Sequence, residues 1–156
     1  ESGMYLPRRQ GGVTCRAMAQ IDDVEVVRML WATARRNDVD ALVSLTAHDV
    51  DWQPTAVAAP RLHGHDALRE YLVGLRAAGR LIDAHPYSFE AVGDCVIVSG
   101  ALRLRGEDGG VEAIQRWWVY RVAGGKIAAA GSHDSRASAL RDARAGQATD
   151  HEASRR

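Results

Sequence analysis

The 156-residue chain is 46% hydrophobic and 26% charged, which supports one domain with a substantial core and excludes a chain disordered throughout. Twenty basic residues offset twenty acidic ones, so no net basic field marks a nucleic-acid or membrane-surface partner. Two cysteines, Cys15 and Cys95, are too few for a disulfide framework and fit a reduced, cytoplasmic setting, and no apolar run is long enough to span a bilayer.

Residues 1–20 are expected to form a flexible extension and residues 144–156 a disordered tail, leaving one domain over 21–143. A first helix is predicted from Asp22, where DDVE places Glu25 three residues on in a capping-box pattern. Val24, Val27, Leu30, Trp31 and Ala34 then recur at helical spacing, and Asn37 and Asp38 supply the stop. A short second helix, DVDALVSLTA, carries Val39, Leu42, Val43 and Thr46 on one side. DVDWQP reads as a brief extended segment ended by Pro54, and residues 55–62 as loop.

GHDALREYLVGLRAAG is a third helix: Asp66 suits its positive end, Leu68, Tyr71, Leu72 and Leu75 form the stripe, and Gly79 suits the C-terminal cap. The pattern then changes to strands. LIDAHPYSFEAV, DCVIVSGALRLR, VEAIQRWWVYRV and KIAAAGSHD are separated by GD, GEDGG and AGG, all hairpin signals. SRASALRDA closes the domain as a short helix. The order is α+β: three N-terminal helices packed on a curved, mainly antiparallel sheet. Within the third strand, Trp117 and Trp118 must face opposite sides, because successive strand side chains alternate.

This order, with RNDVDALVSLTAHDVDW, GHDALREYL and WWVYRVAGGKI, resembles the nuclear transport factor 2-like superfamily, and within it the SnoaL-like branch related to polyketide cyclases and ketosteroid isomerases. The resemblance implies a cone-shaped α+β barrel whose curved sheet closes against the helices around a deep, mostly apolar pocket. It also implies a homodimer formed through the outer sheet face. By the family's strand parity, Arg116, Trp118 and Tyr120 point into the cone, while Gln115, Trp117 and Val119 point outward to the interface.

The catalytic signatures of the relatives are absent. Ketosteroid isomerases need a carboxylate base, a tyrosine and a protonated aspartate; the resemblance puts those roles at Trp52 or Gln53, near Leu30 or Trp31, and at Trp118. The Trp-Asp pair of SnoaL-like cyclases falls within Ala129–Ser132, whose small side chains leave room in the cone, with Asp134 following. For the Asp–Arg–Asp arrangement of epoxide hydrolases on this fold, RLR offers Arg103 and Arg105 but no aspartate two residues away.

His63 and His65 flank Gly64 with no third ligand in the sequence, so no metal is expected. His63, just before the third helix, is expected at the pocket mouth. His133 stands where relatives often place an aromatic residue facing the cone, beside Asp134, and histidine serves as acid or base near neutral pH. Arg116, if inward, is costly to bury unpaired and wants Asp51, Asp83, Glu90 or an anionic ligand.

The expectation is a homodimer that binds a hydrophobic, cyclic small molecule without a metal or nucleotide cofactor. As an enzyme it would run proton-transfer chemistry: cyclisation, isomerisation, dehydration or hydrolysis of the epoxide hydrolase kind. His133 would be the acid/base with Asp134 beside it, and Arg116 would hold oxyanion charge. Trp31, Trp52, His63, Tyr71, Trp118 and Tyr120 would position the substrate. The alternative is a non-catalytic ligand-binding or protein-interaction accessory dimer, which the missing acid/base signature favours.

Overall fold

A computed structural model describes residues 15–55, 59–77 and 83–153. Helices α1 (Cys15–Arg35) and α2 (Val39–Ser44) lead into β1 (Thr46–Trp52) and β2 (Leu62–His63). Helix α3 (Gly64–Ala77) precedes β3 (Asp83–Val92), β4 (Cys95–Arg105), β5 (Val111–Ala123) and β6 (Lys126–His133), and α4 (Arg136–Ala153) follows. The six strands form one open sheet in the order β2-β1-β6-β5-β4-β3, parallel only between β1 and β6. This is the expected α+β architecture, with a fourth helix on the far side of the sheet.

Local chemistry accounts for the element boundaries. Asp38 caps α2 by accepting from the Ala41 N–H at 3.1 Å, after Asn37 turns the chain at φ 54°. Gly124 and Gly125, both at positive φ, make the tight β5–β6 hairpin. On the edge strand β3, Pro86 sits beside a bulge that pushes Tyr87 into solvent, which blunts an exposed edge. Gly100 lies opposite that bulge, where a Cβ would approach the His85 carbonyl to 2.3 Å.

Four elements differ from the sequence expectation. Helix α1 starts at Cys15, so DDVE lies inside it; Ala, Met, Arg and Gln in CRAMAQ are strong helix formers and propagate the helix backwards. The extended segment starts at Thr46, not Asp49, because the Ile127 N–H donates to the Leu45 carbonyl at 2.9 Å and draws the chain alongside β6. Thr46 donates to the Val43 carbonyl at 2.7 Å and is buried. Residues Leu62 and His63, expected as loop, pair with Trp52 and Asp51. Finally, α4 runs to Ala153, through the stretch expected as a disordered tail; its Ala-, Arg- and Gln-rich composition is as good for a helix as for a tail.

The sheet is buried on both faces. The inner face of β4 and β5, through Val96, Val98, Trp118, Tyr120 and Val122, packs with Val27, Leu30 and Leu68 from α1 and α3. Fully burying each such aliphatic side chain contributes about 1.5–3 kcal/mol. The outer face carries a second cluster: Cys95, Ile97 and Val119 pack under Ala139 and Ala143 of α4, with Trp117 and Leu140 at its margin. Small residues at 139 and 143 let the helix lie close to the strands. Thus Trp118 faces the cone and Trp117 faces out, as the parity predicts. Trp117 and Val119 meet the chain's own α4, however, and of the three residues expected at an outer interface only Gln115 is exposed.

Candidate functional site

Inside the cone lies a cavity of about 170 Å³. Its wall is aromatic: Trp31 from α1, Trp52 from β1, Tyr71 from α3, and Trp118 and Tyr120 from β5. Strand alternation puts Trp118 and Tyr120 on the same face, and helical spacing sets Trp31 one turn from Val27. Ala130 and Gly131 of β6 line the cavity between Trp52 and Tyr120, so the small residues of AAAGS do leave the space the sequence implied.

The aromatic groups brace one another. Trp31 meets Trp118 edge-on at 5.0 Å between ring centroids, and Trp52 is tilted against Tyr120 at 6.2 Å. The Trp118 indole N–H donates to Thr55 Oγ1 at 3.3 Å, which holds its ring. Trp31 Nε1 differs: it is buried beside the Tyr120 hydroxyl but makes no well-formed hydrogen bond. Burial raises the Tyr120 hydroxyl well above the ordinary phenol range, offset only in part by the Trp31 indole, and burial raises Tyr71 as well. Both phenols stay protonated at neutral pH and remain available as donors. No carboxylate or imidazole lines the cavity among the described residues.

The sequence candidates therefore separate. Trp31, Trp52, Tyr71, Trp118 and Tyr120 converge on one space. His63 does not join them: β2 pairs with β1 so that its exposed ring lies 3.8 Å from Asp51 Oδ1, alongside Arg61, which also binds that carboxylate. His65 turns back to the Thr46 carbonyl at 3.0 Å and stacks edge-on against His48.

His133 is the main correction. Antiparallel pairing sets it opposite Trp117, and therefore on the outer face, away from the cone. Its Nδ1 contacts Ser138 Oγ and its Nε2 contacts Asp142 Oδ2, each at 2.8 Å, so its visible role is to pin α4 to the sheet. The carboxylate expected from Asp134 comes instead from Asp142, one further helix turn along; Asp134 lies past the end of β6 and is exposed. Arg116 does point inward, with Nη2 3.4 Å from the Thr55 carbonyl, but it stands apart from His133 on the other side of the sheet. The three proposed catalytic residues do not form one constellation.

Gln53, which the resemblance set at a base position, lines the cavity just after β1, and so does Thr55, which sequence reasoning missed. The Gln53 N–H donates to the Ala130 carbonyl at 2.8 Å, which ties this segment to β6. Pro54 gave the turn away, but nothing in the sequence located the polar groups beside it.

The model of the SnoaL-like domain family matches residues 26–130, well over half of the chain. No curated protein matches the sequence. Among solved structures, an NTF2-like protein of unknown function from Burkholderia pseudomallei superposes with a TM-score of 0.64 at 21% identity, covering 77% of this chain and 95% of that one. TerC co-crystallised with polyporic acid gives 0.63 at 19% identity, covering 75% and 94%. A polyketide cyclase assigned by similarity, from Sinorhizobium meliloti, gives 0.58 at 22% identity, covering 70% and 94%. These likenesses establish a common fold.

Proposed function

The chain belongs to the SnoaL-like domain family, and from that premise we propose that it binds a small, hydrophobic, cyclic molecule in the cone. The observation that carries this reading is the hollow itself: an aromatic cavity of about 170 Å³ with a buried indole N–H in its wall that makes no well-formed hydrogen bond. A well-packed domain of this size has no need of such a space. An apolar cavity of about 150 Å³ is enough to hold a benzene ring, so the natural ligand fits as one ring buried and the rest at the mouth. TerC, a relative in fold, was co-crystallised with polyporic acid, so a protein of this fold takes a small molecule.

The ligand carries an oxygen acceptor on its buried ring. Trp31 Nε1 has only the Tyr120 hydroxyl beside it and no well-formed hydrogen bond, and a buried donor left unsatisfied costs about 1–3 kcal/mol. A carbonyl or ether oxygen would recover that cost, and the protonated Tyr120 hydroxyl is a second donor on the same wall. Binding is the preferred reading over proton-transfer catalysis, because the wall supplies donors but no group suited to taking a proton at neutral pH. A homodimer, if formed through the outer face, uses the area around Gln115 that α4 leaves bare.

Titration with a panel of single-ring and fused-ring ketones, lactones and phenols, followed by tryptophan fluorescence, tests the reading. Saturable quenching by ring compounds, and none by their open-chain counterparts, is the expected result. A uniformly flat response would remove the proposal.

A further inference from the structure

The inner face of β5 carries a charge that the protein itself does not balance. Arg116 precedes Trp118 by two residues, so its side chain leaves the strand on the cavity side. Among the described residues its only hydrogen bond is the long one to the Thr55 carbonyl, at 3.4 Å. Its Nε is buried and has no partner, and it forms no ion pair among the described residues. Of the carboxylates it was expected to seek, Asp51 is taken by Arg61, and Glu90 by both contacts to Arg136. Asp134, next in the β5–β6 register, is exposed beyond the strand end.

A second orphan lies beside it. Ser132 is directly opposite Trp118 in the ladder, on the same inner face, and its Oγ is buried without a hydrogen bond. Thr55 links this corner to the cavity, since it lines the cavity, accepts from the Trp118 indole and offers its carbonyl to Arg116. A guanidinium presents five donors in a fork that matches a carboxylate, and a half-buried one without an anion is unfavourable. Two such groups on the inner face, one paired with Trp118 and the other reaching Thr55 of the cavity wall, describe the missing half of an anion site.

We infer that the ligand is a cyclic carboxylate: its ring fills the aromatic cavity and its carboxylate reaches Arg116, with the Ser132 hydroxyl as a further donor. This rests on the reading that the cavity binds a small cyclic molecule, and it adds the charge that selects among such molecules.

The test is calorimetric titration of the whole chain with benzoate and benzamide, two probes of nearly equal shape that differ in charge. Charge-assisted hydrogen bonds of this type predict benzoate binding about tenfold more tightly than benzamide. In Arg116→Gln that ratio falls to near one, and in Ser132→Ala it shrinks by a smaller factor. The wild-type ratio stands alone if the arginine variant fails to fold. Equal affinity for the two probes in the wild type, or a ratio that survives Arg116→Gln, overturns the carboxylate inference and leaves the cavity reading in place. If neither probe nor any ring compound binds, both fall together.

Discussion

At the scale of single residues, the informative groups are polar atoms left without partners in an otherwise packed interior. Trp31 Nε1 is the sharpest case, because replacing it by phenylalanine removes the unmet donor but keeps an aromatic ring. Trp31→Phe is therefore expected to leave the free protein as stable as before or up to about 1 kcal/mol more so, while weakening an oxygen-bearing ligand by about three- to tenfold. Denaturant unfolding and a binding titration on the same variant check both halves. Large destabilisation would mean that Trp31 is only a packing residue. Cys95 makes a separate prediction. Burial first, and then the charge of Asp94, raise its thiol from 9.0 to about 11, with Arg121 opposing. A folded-state pKa above the unfolded one means that the folded chain holds the proton longer. Its contribution is therefore intact below pH 9.0 and is lost as the pH rises through about 11. Stability measured by denaturant between those values should decline, and Cys95→Ala should flatten the decline. Five of the six residues expected around the pocket line the cavity, and they were legible because aromatic residues at inward parity have few other places to go. His63 was not, since its position depends on a two-residue strand, Leu62–His63, with no pattern long enough to read.

At the scale of elements, α4 is what the sequence left most obscure. Its Ala-rich run carries no strong apolar stripe, and the contacts that dock it are small or polar. Ala139 and Ala143 lie flat on the strands, Arg136 binds both oxygens of Glu90, and Ser138 and Asp142 hold His133. Gly146 adds to this docking: a Cβ there would run into the Arg121 guanidinium, which lies 3.5 Å from Asp94. That close approach accounts for a glycine inside a helix, where it costs about 1 kcal/mol relative to alanine. The misplacement of His133 has the same root. KIAAAGSH alternates no polar and apolar residues, so its parity becomes visible only once Trp117 is seen opposite. His133→Ala should remove both contacts to α4 and lower stability by about 1–2 kcal/mol, read by thermal unfolding, and should expose α4 to faster amide exchange. Ligand affinity should not change, since His133 lies across the sheet from the cavity. A loss of binding with α4 still protected would restore a direct role for it.

At the scale of the whole molecule, a curved sheet with helices on the concave side and one helix on the convex side answers why two adjacent tryptophans can both be covered. Trp118 closes the cone and Trp117 abuts α4. The fold was readable because three helical periodicities followed by strands at regular hairpin spacing admit few arrangements. The hollow was readable only in part: small residues in the last strand announced space, but its volume and its unpaired donors are set by tertiary packing. Ala130 offers direct access to that space. Ala130→Leu adds three carbon atoms to the cavity wall and should fill the cavity without disturbing the outer face. The most direct measurement is calorimetric titration of the wild type and Ala130→Leu with the ring compound that quenches tryptophan best. One site per chain in the wild type, and at least about a tenfold loss in a variant that unfolds at the same temperature or higher, is the result predicted. Equal binding by both proteins would contradict the account, because the ligand would then lie outside the cone.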